Sequence, residues 1–294
     1  MVCDRIMTIT LATPAVDDLG DAVAAVRSWQ HEGAPMQLHS GDIGWFQRSG
    51  AVATAAALRT WSRNGEIVAV GLLDEPDVLR MTIAPDLHRD EELGDHLAAD
   101  VSDPERGVLP SGKVNIEAPR TALLHDLLAA QGWPTDEPWT PLRRDLTEPV
   151  EDPGVRIEIA GHELAAVRVA VHRAAFDNST FTVEKWETMA AGPAYSDARC
   201  LVAFDDDGSA VAGVTVWSSG AGKPGLIEPL GAHRDHRGHG YGRAMSLAAA
   251  KALQEMGASS VIVCTPSSNV GGVAAYLSAG MQALPEVRDR MRTS

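Results

Sequence analysis

Cysteine is scarce in this chain, whose 294 residues include only Cys3, Cys200 and Cys264. Three cysteines do not form a disulfide framework and are typical of free thiols in a reducing compartment. No stretch is long and apolar enough to span a membrane, and the first residues lack a signal-peptide pattern. No spacing of histidine, cysteine or aspartate indicates a metal site. We therefore expect a cytoplasmic protein without a bound metal.

Positive charge is also in deficit. The chain has 25 lysine and arginine residues against 40 aspartate and glutamate residues, which gives a formal net charge of −15. Residues 1–150 carry 24 of the acidic side chains and 12 of the basic ones. This balance argues against nucleic acid and anionic membranes as partners. It favours a cationic small molecule, although an acidic excess also serves solubility alone.

A glycine-rich turn stands out, although it follows neither common phosphate-binding motif. It reads Arg237-Gly238-His239-Gly240-Tyr241-Gly242 and lies between a strand-like run at 226–232 and a helix-like run at 243–256. The dinucleotide pattern G-x-G-x-x-G fails here, and the chain has no G-x-x-x-x-G-K-[ST] loop. A helix start still offers unpaired N–H groups and a positive dipole end to a phosphate. The alternative is a turn that binds nothing.

The elements after this turn extend the pattern. Residues 259–265 predict a short buried strand, and a helix is predicted from Asn269 to a glycine cap at Gly280. The series resembles the GNAT superfamily of acyl-CoA-dependent N-acyltransferases, through Arg237, Gly240, Gly242, Asn269, Tyr276 and Gly280. One departure is Met281, where the family usually has an aromatic residue.

The resemblance implies acetyl-CoA as the acyl donor. The turn would hold the pyrophosphate through its backbone amides, and the strand before it would pair with the pantetheine arm and the thioester carbonyl. The residues implied in cofactor binding are Leu230, Gly231, Ala232, Arg237, Gly238, His239, Gly240, Tyr241, Gly242, Arg243 and Asn269.

Two side chains are candidates for proton transfer. The resemblance implies that Tyr276 protonates the departing thiolate, for which a phenol is a suitable acid. The alternative is a core tyrosine with a satisfied hydroxyl. Glu228 is the candidate base, because it shares one strand face with Leu230 and Ala232 and is an acidic residue in an apolar run. The alternative role for Glu228 is that of a structural carboxylate paired with a cation.

The acceptor is expected to be the primary amine of a small molecule. By the same resemblance, its pocket would draw on the first helices of the second domain. The predicted substrate-binding residues are Phe176, Phe181, Trp186 and Trp217.

An internal duplication is predicted from a fixed offset of 148 residues. It places Gly280-Met281 on Gly132-Trp133 and the strand 261–265 on residues 113–117. Strand, loop, strand and helix align without a gap, and a proline- and acid-rich stretch at 147–154 is typical of a linker. We therefore predict domains at 1–148 and 149–294, unless the offset is chance. Residues after Met281 are barely enough for the last hairpin, so that edge is reduced or completed by other parts.

The two copies differ where chemistry would occur. Asp90, Glu91 and Glu92 stand opposite Gly238, His239 and Gly240, and three carboxylates in a phosphate cradle would repel a polyanion. Leu128 stands opposite Tyr276, and Arg80 stands opposite Glu228. The first domain is therefore predicted to be degenerate, a layout that resembles that of mycothiol synthases.

The sequence thus predicts an α/β (α+β) protein of two tandem GNAT-like domains, each a mixed, mostly antiparallel sheet flanked by helices. The predicted activity is transfer of an acetyl group from acetyl-CoA to a primary amine by direct attack. The alternatives are a catalytically inactive acyl-CoA-binding regulator and an interaction protein. The oligomeric state, a homodimer included, is left open.

Overall fold

The structure is a computed structural model that describes residues 9–293, so the expectations for Cys3 and the first residues lie outside it. The first half of the chain contains β1 (Ile9–Ala12), α1 (Leu19–Trp29), α2 (Ser40–Phe46), α3 (Ala51–Ala57), β2 (Leu58–Arg63), β3 (Glu66–Glu75), β4 (Val78–Ile83), α4 (Glu91–Ser102), β5 (Val114–Glu117), α5 (Leu123–Ala130) and β6 (Thr135–Asp145). The second half contains β7 (Arg156–Ile159), α6 (Ala165–Ala175), α7 (Val183–Ala190), β8 (Ala198–Phe204), β9 (Ala210–Trp217), β10 (Pro224–Ala232), α8 (Tyr241–Glu255), β11 (Ser260–Pro266), α9 (Val270–Ser278), β12 (Gln282–Ala283) and β13 (Val287–Arg292).

All of these strands belong to one sheet. Its order is β1-β2-β3-β4-β5-β13-β6-β11-β10-β9-β8-β7, and β12 pairs with β6 beside this path. Two neighbouring pairs, β4 with β5 and β10 with β11, are parallel, and the other pairs are antiparallel. The predicted fold class, a mixed and mostly antiparallel sheet flanked by helices, is confirmed.

From β2 to α5 and from β8 to α9, the two halves follow the same order of elements. The 148-residue offset moves α5 onto residues 271–278, which lie in α9, and β5 onto residues 262–265, which lie in β11. In each half a helix, α4 or α8, separates the two parallel strands. This order is what the predicted duplication requires.

The last strands of the two halves are exchanged. β6 ends the first half in sequence but pairs from Trp139 to Asp145 with β11 of the second half. β13 ends the chain but pairs with β5 of the first half and with β6. The sequence predicts an edge that is reduced or completed by other parts of the protein, and in the structure β6 of the first half pairs with β11 at this edge.

Side chains that alternate along each strand pack into hydrophobic cores on both faces of the sheet. In β8, Cys200, Val202 and Phe204 point into a core that both halves share, whereas Leu201 and Ala203 point into the core beneath α8. Successive strand residues face opposite sides, so one apolar strand serves both cores. A third core lies in the first half beneath α4 and α5.

The shared core depends on close packing of α2 against Trp217. The indole is 1% exposed, and its Nε1 donates a 2.7 Å hydrogen bond to the carbonyl oxygen of Glu228. Gly41 and Gly44 of α2 lie against the ring, where a β-carbon on either would overlap it. Glycine at these positions lets a helix of the first half lie directly on a strand of the second.

Gly44→Ala is expected to lower the free energy of unfolding by about 1–3 kcal/mol, because overpacking displaces a fully buried ring. Gly20→Ala is the matched control, since Gly20 is a helical glycine with no neighbouring atom within 4 Å of its β-carbon position. The control is expected to be neutral or stabilising by up to about 1 kcal/mol. Urea unfolding measures both. Equal stabilities for Gly44→Ala and the parent would contradict this packing.

Candidate active site between the two halves

The sheet opens between β10 and β11. These strands are paired only through Pro224–Leu226 and Ser260–Ile262. Beyond that point β10 keeps its pairing with β9, where Leu230, Gly231 and Ala232 lie opposite residues 212–214. Within residues 9–293, its other edge pairs with no strand there. A row of free backbone groups of this kind can bind an extended chain by strand-like hydrogen bonds.

The glycine-rich turn lies at the end of β10 and begins α8. Gly238 and Gly240 have φ values of 83° and 84°, in the left-handed region that glycine enters without steric cost. No side chain caps α8. The backbone amides of residues 238–243 have no hydrogen-bond partner in the described part of the chain. These amides lie at the positive end of the α8 dipole on an exposed turn, an arrangement that suits a phosphate.

The arginines of the turn are engaged with helix ends. Arg234 and Arg237 donate hydrogen bonds of 2.8 Å to backbone carbonyls at the end of α6, and Arg243 donates one of 2.9 Å to a carbonyl at the end of α9. Cations are favoured at helix C-termini. The guanidinium groups therefore fix the turn between two helices and add positive potential beside it.

The other residues implied in cofactor binding occupy distinct positions. His239 is exposed on the turn, and Tyr241 is half-buried at the start of α8. Asn269 caps α9: its Oδ1 accepts from the amide of Gly272 at 3.1 Å and its Nδ2 donates to Thr265 Oγ1 at 3.0 Å. Asn269 thus fixes the start of the helix that carries Tyr276.

Tyr276 is buried in α9 and is 7% exposed. Its hydroxyl makes no hydrogen bond to any described residue, which departs from the alternative of a satisfied core tyrosine. Burial raises the pKa of the phenol, and the Glu228 carboxylate raises it further. The hydroxyl therefore keeps its proton and lies within electrostatic reach of Glu228.

Glu228 lies at the point where β10 and β11 diverge. Its carboxylate forms no hydrogen bond or ion pair with a described residue, so the alternative of a paired structural carboxylate is not what the structure shows. Burial raises its pKa to about 7. Asp42 and Asp74 also raise the pKa, whereas Arg80 and Arg48 lower it. A carboxylate with a pKa near neutrality can accept a proton at physiological pH.

Glu228 faces a cavity of about 220 Å³ between the two halves. β10 and β11 of the second half form one wall, and β4, β5 and α2 of the first half form another. β13 closes it between them, so the strand exchange helps to build the cavity. The polar and thiol side chains that matter below are Asp42, Arg80, Glu117, Glu228, Cys264 and Asp289.

Arg80 lies among carboxylates in this cavity. Its guanidinium is 3.2 Å from Asp42 Oδ1, 3.4 Å from Asp74 Oδ2 and 3.1 Å from Glu117 Oε2. These carboxylates raise the pKa of Arg80 against the opposing effect of burial. One permanent positive charge therefore faces three carboxylates before Glu228 and Asp289 are considered.

Cys264 also lines the cavity but is a poor nucleophile. Burial raises the pKa of its thiol to about 12, and Glu117 and Asp289 raise it further. Since the thiolate is the reactive form, this environment argues against an acyl-enzyme on Cys264.

In the corresponding turn of the first half, the side chain of Asp90 blocks the start of the helix. Asp90 caps α4, accepting from the amide of Leu93 at 2.8 Å. Arg63 binds the same carboxylate through both terminal nitrogens, at 2.9 and 2.6 Å, and lies 3.3 Å from Glu92. The position that a phosphate would take at this helix start is therefore occupied by a carboxylate with its own counter-ion.

The aromatic residues predicted to bind the acceptor do not line this cavity. Phe181, Trp186 and Trp217 are buried in the shared core, and Phe176 packs beside Gly231. Trp45 of α2 contacts Phe181, with ring centroids 5.1 Å apart. A helix of the first half thus covers the face on which the sequence predicts the acceptor.

Most of the charged residues that line the cavity leave no local signal in the sequence. Asp42, Glu117 and Asp289 lie far apart in the chain, and none belongs to a motif. Arg80 stands out in the sequence only as the counterpart of Glu228 in the offset alignment. That correspondence was the one signal available, since equivalent positions on β4 and β10 face the same cavity.

Comparison with known proteins agrees with this geometry. Residues 165–281 match the model of the family described as Acetyltransferase (GNAT) family. This segment runs from α6 to the end of α9 and includes the turn, Glu228 and Tyr276. No curated protein sequence matches the chain significantly.

Several solved structures have the same fold over nearly the whole chain. A GCN5-related N-acetyltransferase from Sphaerobacter thermophilus is 18% identical with a TM-score of 0.58, covering 99% of this chain and 96% of its own. A tandem GNAT protein from the clavulanic acid biosynthesis pathway is 16% identical with a TM-score of 0.59, covering 97% and 98%. A GNAT-family acetyltransferase from Colwellia psychrerythraea is 15% identical with a TM-score of 0.61, covering 97% and 99%. The fold is that of GNAT acetyltransferases.

Membrane-spanning helices and metal-binding groups are both absent from the described residues. None of the helices in residues 9–293 is both long and apolar enough to cross a membrane. No group of three or more histidine, cysteine, aspartate or glutamate side chains in that range could hold a metal ion.

Proposed function

We propose that the protein is an acetyl-CoA-dependent N-acetyltransferase acting on the primary amine of a small molecule. The observation that carries the proposal is a succession of features in the second half, which forms the path proposed for acetyl-CoA. It consists of the unpaired amides of the turn, the open edge of β10, and Glu228 with Tyr276 in its electrostatic reach. The match of residues 165–281 to the acetyltransferase family supports the same reading.

Acetyl-CoA fits this path by its chemistry. The amides of residues 238–243 would hold the pyrophosphate, and the free edge of β10 at Leu230, Gly231 and Ala232 would pair with the amides of the pantetheine arm. Gly242 lies close to α9, since its β-carbon position is 3.1 Å from Ala275 Cβ. A larger residue at Gly242 would push Tyr276's helix away from the turn.

The chain's own groups can move the protons that direct transfer requires. The acceptor ammonium first loses one proton to solvent, which leaves a neutral amine. Its nitrogen bonds to the acetyl carbonyl carbon, while backbone amides of β10 stabilise the oxygen, and Glu228, directly or through water, takes the proton that the nitrogen then loses. As the carbon–sulfur bond breaks, Tyr276 donates its proton to the thiolate. The proton on Glu228 can return to the phenolate, because the two groups interact.

The first half would not bind acetyl-CoA. Asp90 already satisfies the start of α4 and pairs with Arg63, and Leu128 stands where the second half has Tyr276. We propose that residues 1–148 form a degenerate domain and residues 149–294 the catalytic one. The first domain instead supplies α2, Arg80 and Glu117 to the acceptor cavity. The free thiols of Cys200 and Cys264 fit a reducing compartment, the cytoplasm.

Calorimetric titration with acetyl-CoA is expected to give one site per chain and no site in Gly240→Glu. The substitution puts a carboxylate in the turn, as Glu92 does in the first half. Gly208→Glu is the matched control, because Gly208 has a φ of 80° in an unrelated turn. Two sites would contradict the closed first turn. No binding to the parent chain would favour an interaction protein.

Turnover is expected to rise with pH through about 7, because Glu228 must be ionised to accept a proton and its pKa is raised to about 7. Glu228→Gln should lose this rise and lower kcat/KM by about 10²- to 10⁴-fold. Thiol release measured from pH 5.5 to 9 gives both profiles. An unchanged profile in the variant would exclude Glu228 as the base, and acetyl-CoA binding without turnover would favour an inactive regulator.

Tyr276→Phe is expected to lower kcat by about 10²-fold with little change in the Kd of acetyl-CoA, because only the departing thiolate loses its acid. Tyr195→Phe removes a hydroxyl that contacts Cys200 Sγ at 3.6 Å, away from the path. This control should keep the parent's turnover. Equal kcat values for parent and Tyr276→Phe would remove Tyr276 from the mechanism.

A further inference from the structure

The cavity holds more negative charge than its own cations balance. Arg80 is shared by Asp42, Asp74 and Glu117. Glu228 and Asp289 line the same cavity, and neither carboxylate has a hydrogen bond or ion pair within residues 9–293. Both side chains are half-buried, so each carboxylate has lost part of its hydration, which costs free energy. A cationic ligand would remove this cost.

The two unpartnered carboxylates lie at different places in the cavity. Glu228 is on β10, beside Tyr276 and the open edge of the sheet. Asp289 is on β13, one residue before Arg290, which pairs with Ile116 of β5. The antiparallel register therefore brings Asp289 beside Glu117. Asp289 raises the pKa of Glu117, which shows that the two carboxylates interact.

The neighbouring cations do not neutralise this pair. Arg288 is exposed at the rim and donates at 2.9 Å to the carbonyl of Asp136. Arg290 donates at 3.1 Å to the carbonyl of Trp133, and Arg120 is exposed. Arg80 reaches Glu117 at 3.1 Å but no ion pair joins it to Asp289. Burial raises the pKa of Glu117 to about 8 and that of Asp289 to about 7, so near neutral pH the pair holds a proton that a bound cation would replace.

We propose that the acceptor is a dication, a diamine or a related molecule with two separated cationic groups. This inference rests on the proposed function and deepens it. The reacting amine lies at Glu228, and the second ammonium is held between Glu117 and Asp289. The first half of the chain and the exchanged strand β13 thereby select the substrate, although the chemistry belongs to the second half.

The test compares α,ω-diamines from 1,3-diaminopropane to 1,8-diaminooctane with monoamines of equal length. Binding to the full chain is measured by calorimetry with saturating coenzyme A, and acetyl transfer is measured separately. The best diamine is expected to bind at least 10-fold more tightly than its monoamine. Asp289→Asn and Glu117→Gln should each weaken diamine binding by about 10- to 100-fold, because each removes a charge-assisted hydrogen bond. Glu286→Gln, an exposed acid near β13, should bind like the parent.

The outcomes separate the two proposals. Equal binding of diamines and monoamines, or undiminished diamine binding in Asp289→Asn, would overturn the second-cation site and leave acetyl transfer intact. Selective diamine binding that is lost in Asp289→Asn, without acetyl transfer to any amine, would support the cation site and overturn the catalytic proposal.

Discussion

The exchange of β6 and β13 is the constraint on which the rest of the structure depends. The edge of β11 carries backbone donors and acceptors that require a neighbour. Among the described residues, neither strand after α9 provides it, because β12 pairs with β6 and β13 pairs with β5 and β6. β6 supplies that neighbour, and β13 does the same for β5. The two halves are therefore joined by backbone hydrogen bonds as well as by apolar contacts. Residues of the two parallel strand pairs, β4 with β5 and β10 with β11, consequently line the same cavity.

The equivalent turns of the two halves show two ways to satisfy a helix start. In the first half the Asp90 carboxylate accepts from α4 and is neutralised by Arg63. In the second half the glycines leave the α8 amides free, and the arginines are drawn away to the ends of other helices. The first arrangement stabilises the protein without a ligand. The second leaves polar groups that only an anion or water can satisfy, which is the condition for a phosphate site.

The two halves also differ in the charge that they contribute to the central cavity. Arg80 occupies on β4 the position that Glu228 occupies on β10, so the offset pairs a cation in one half with a carboxylate in the other. Had both positions been acidic, Asp42, Asp74 and Glu117 would have lacked their shared counter-ion. Arg80 makes a strongly acidic cavity tolerable, while Glu228 and Asp289 stay available to a ligand. Under the proposed function, one guanidinium group thus couples the stability of the protein to the charge of its substrate.

The sequence by itself determined the turn and the strand and helix that follow it. These elements follow from local rules, apolar periodicity and glycine at a left-handed turn, and β11 and α9 lie within one or two residues of their predicted bounds for this reason. The strand face predicts Glu228 as a candidate base, and the resemblance predicts Tyr276 as a candidate acid. Only the tertiary structure decided that β6 and β13 are exchanged, that α2 covers Phe181, Trp186 and Trp217, and that Asp42, Glu117 and Asp289 meet around Arg80. These contacts join residues more than thirty positions apart, and no local pattern records which strand edges and helix faces will pair.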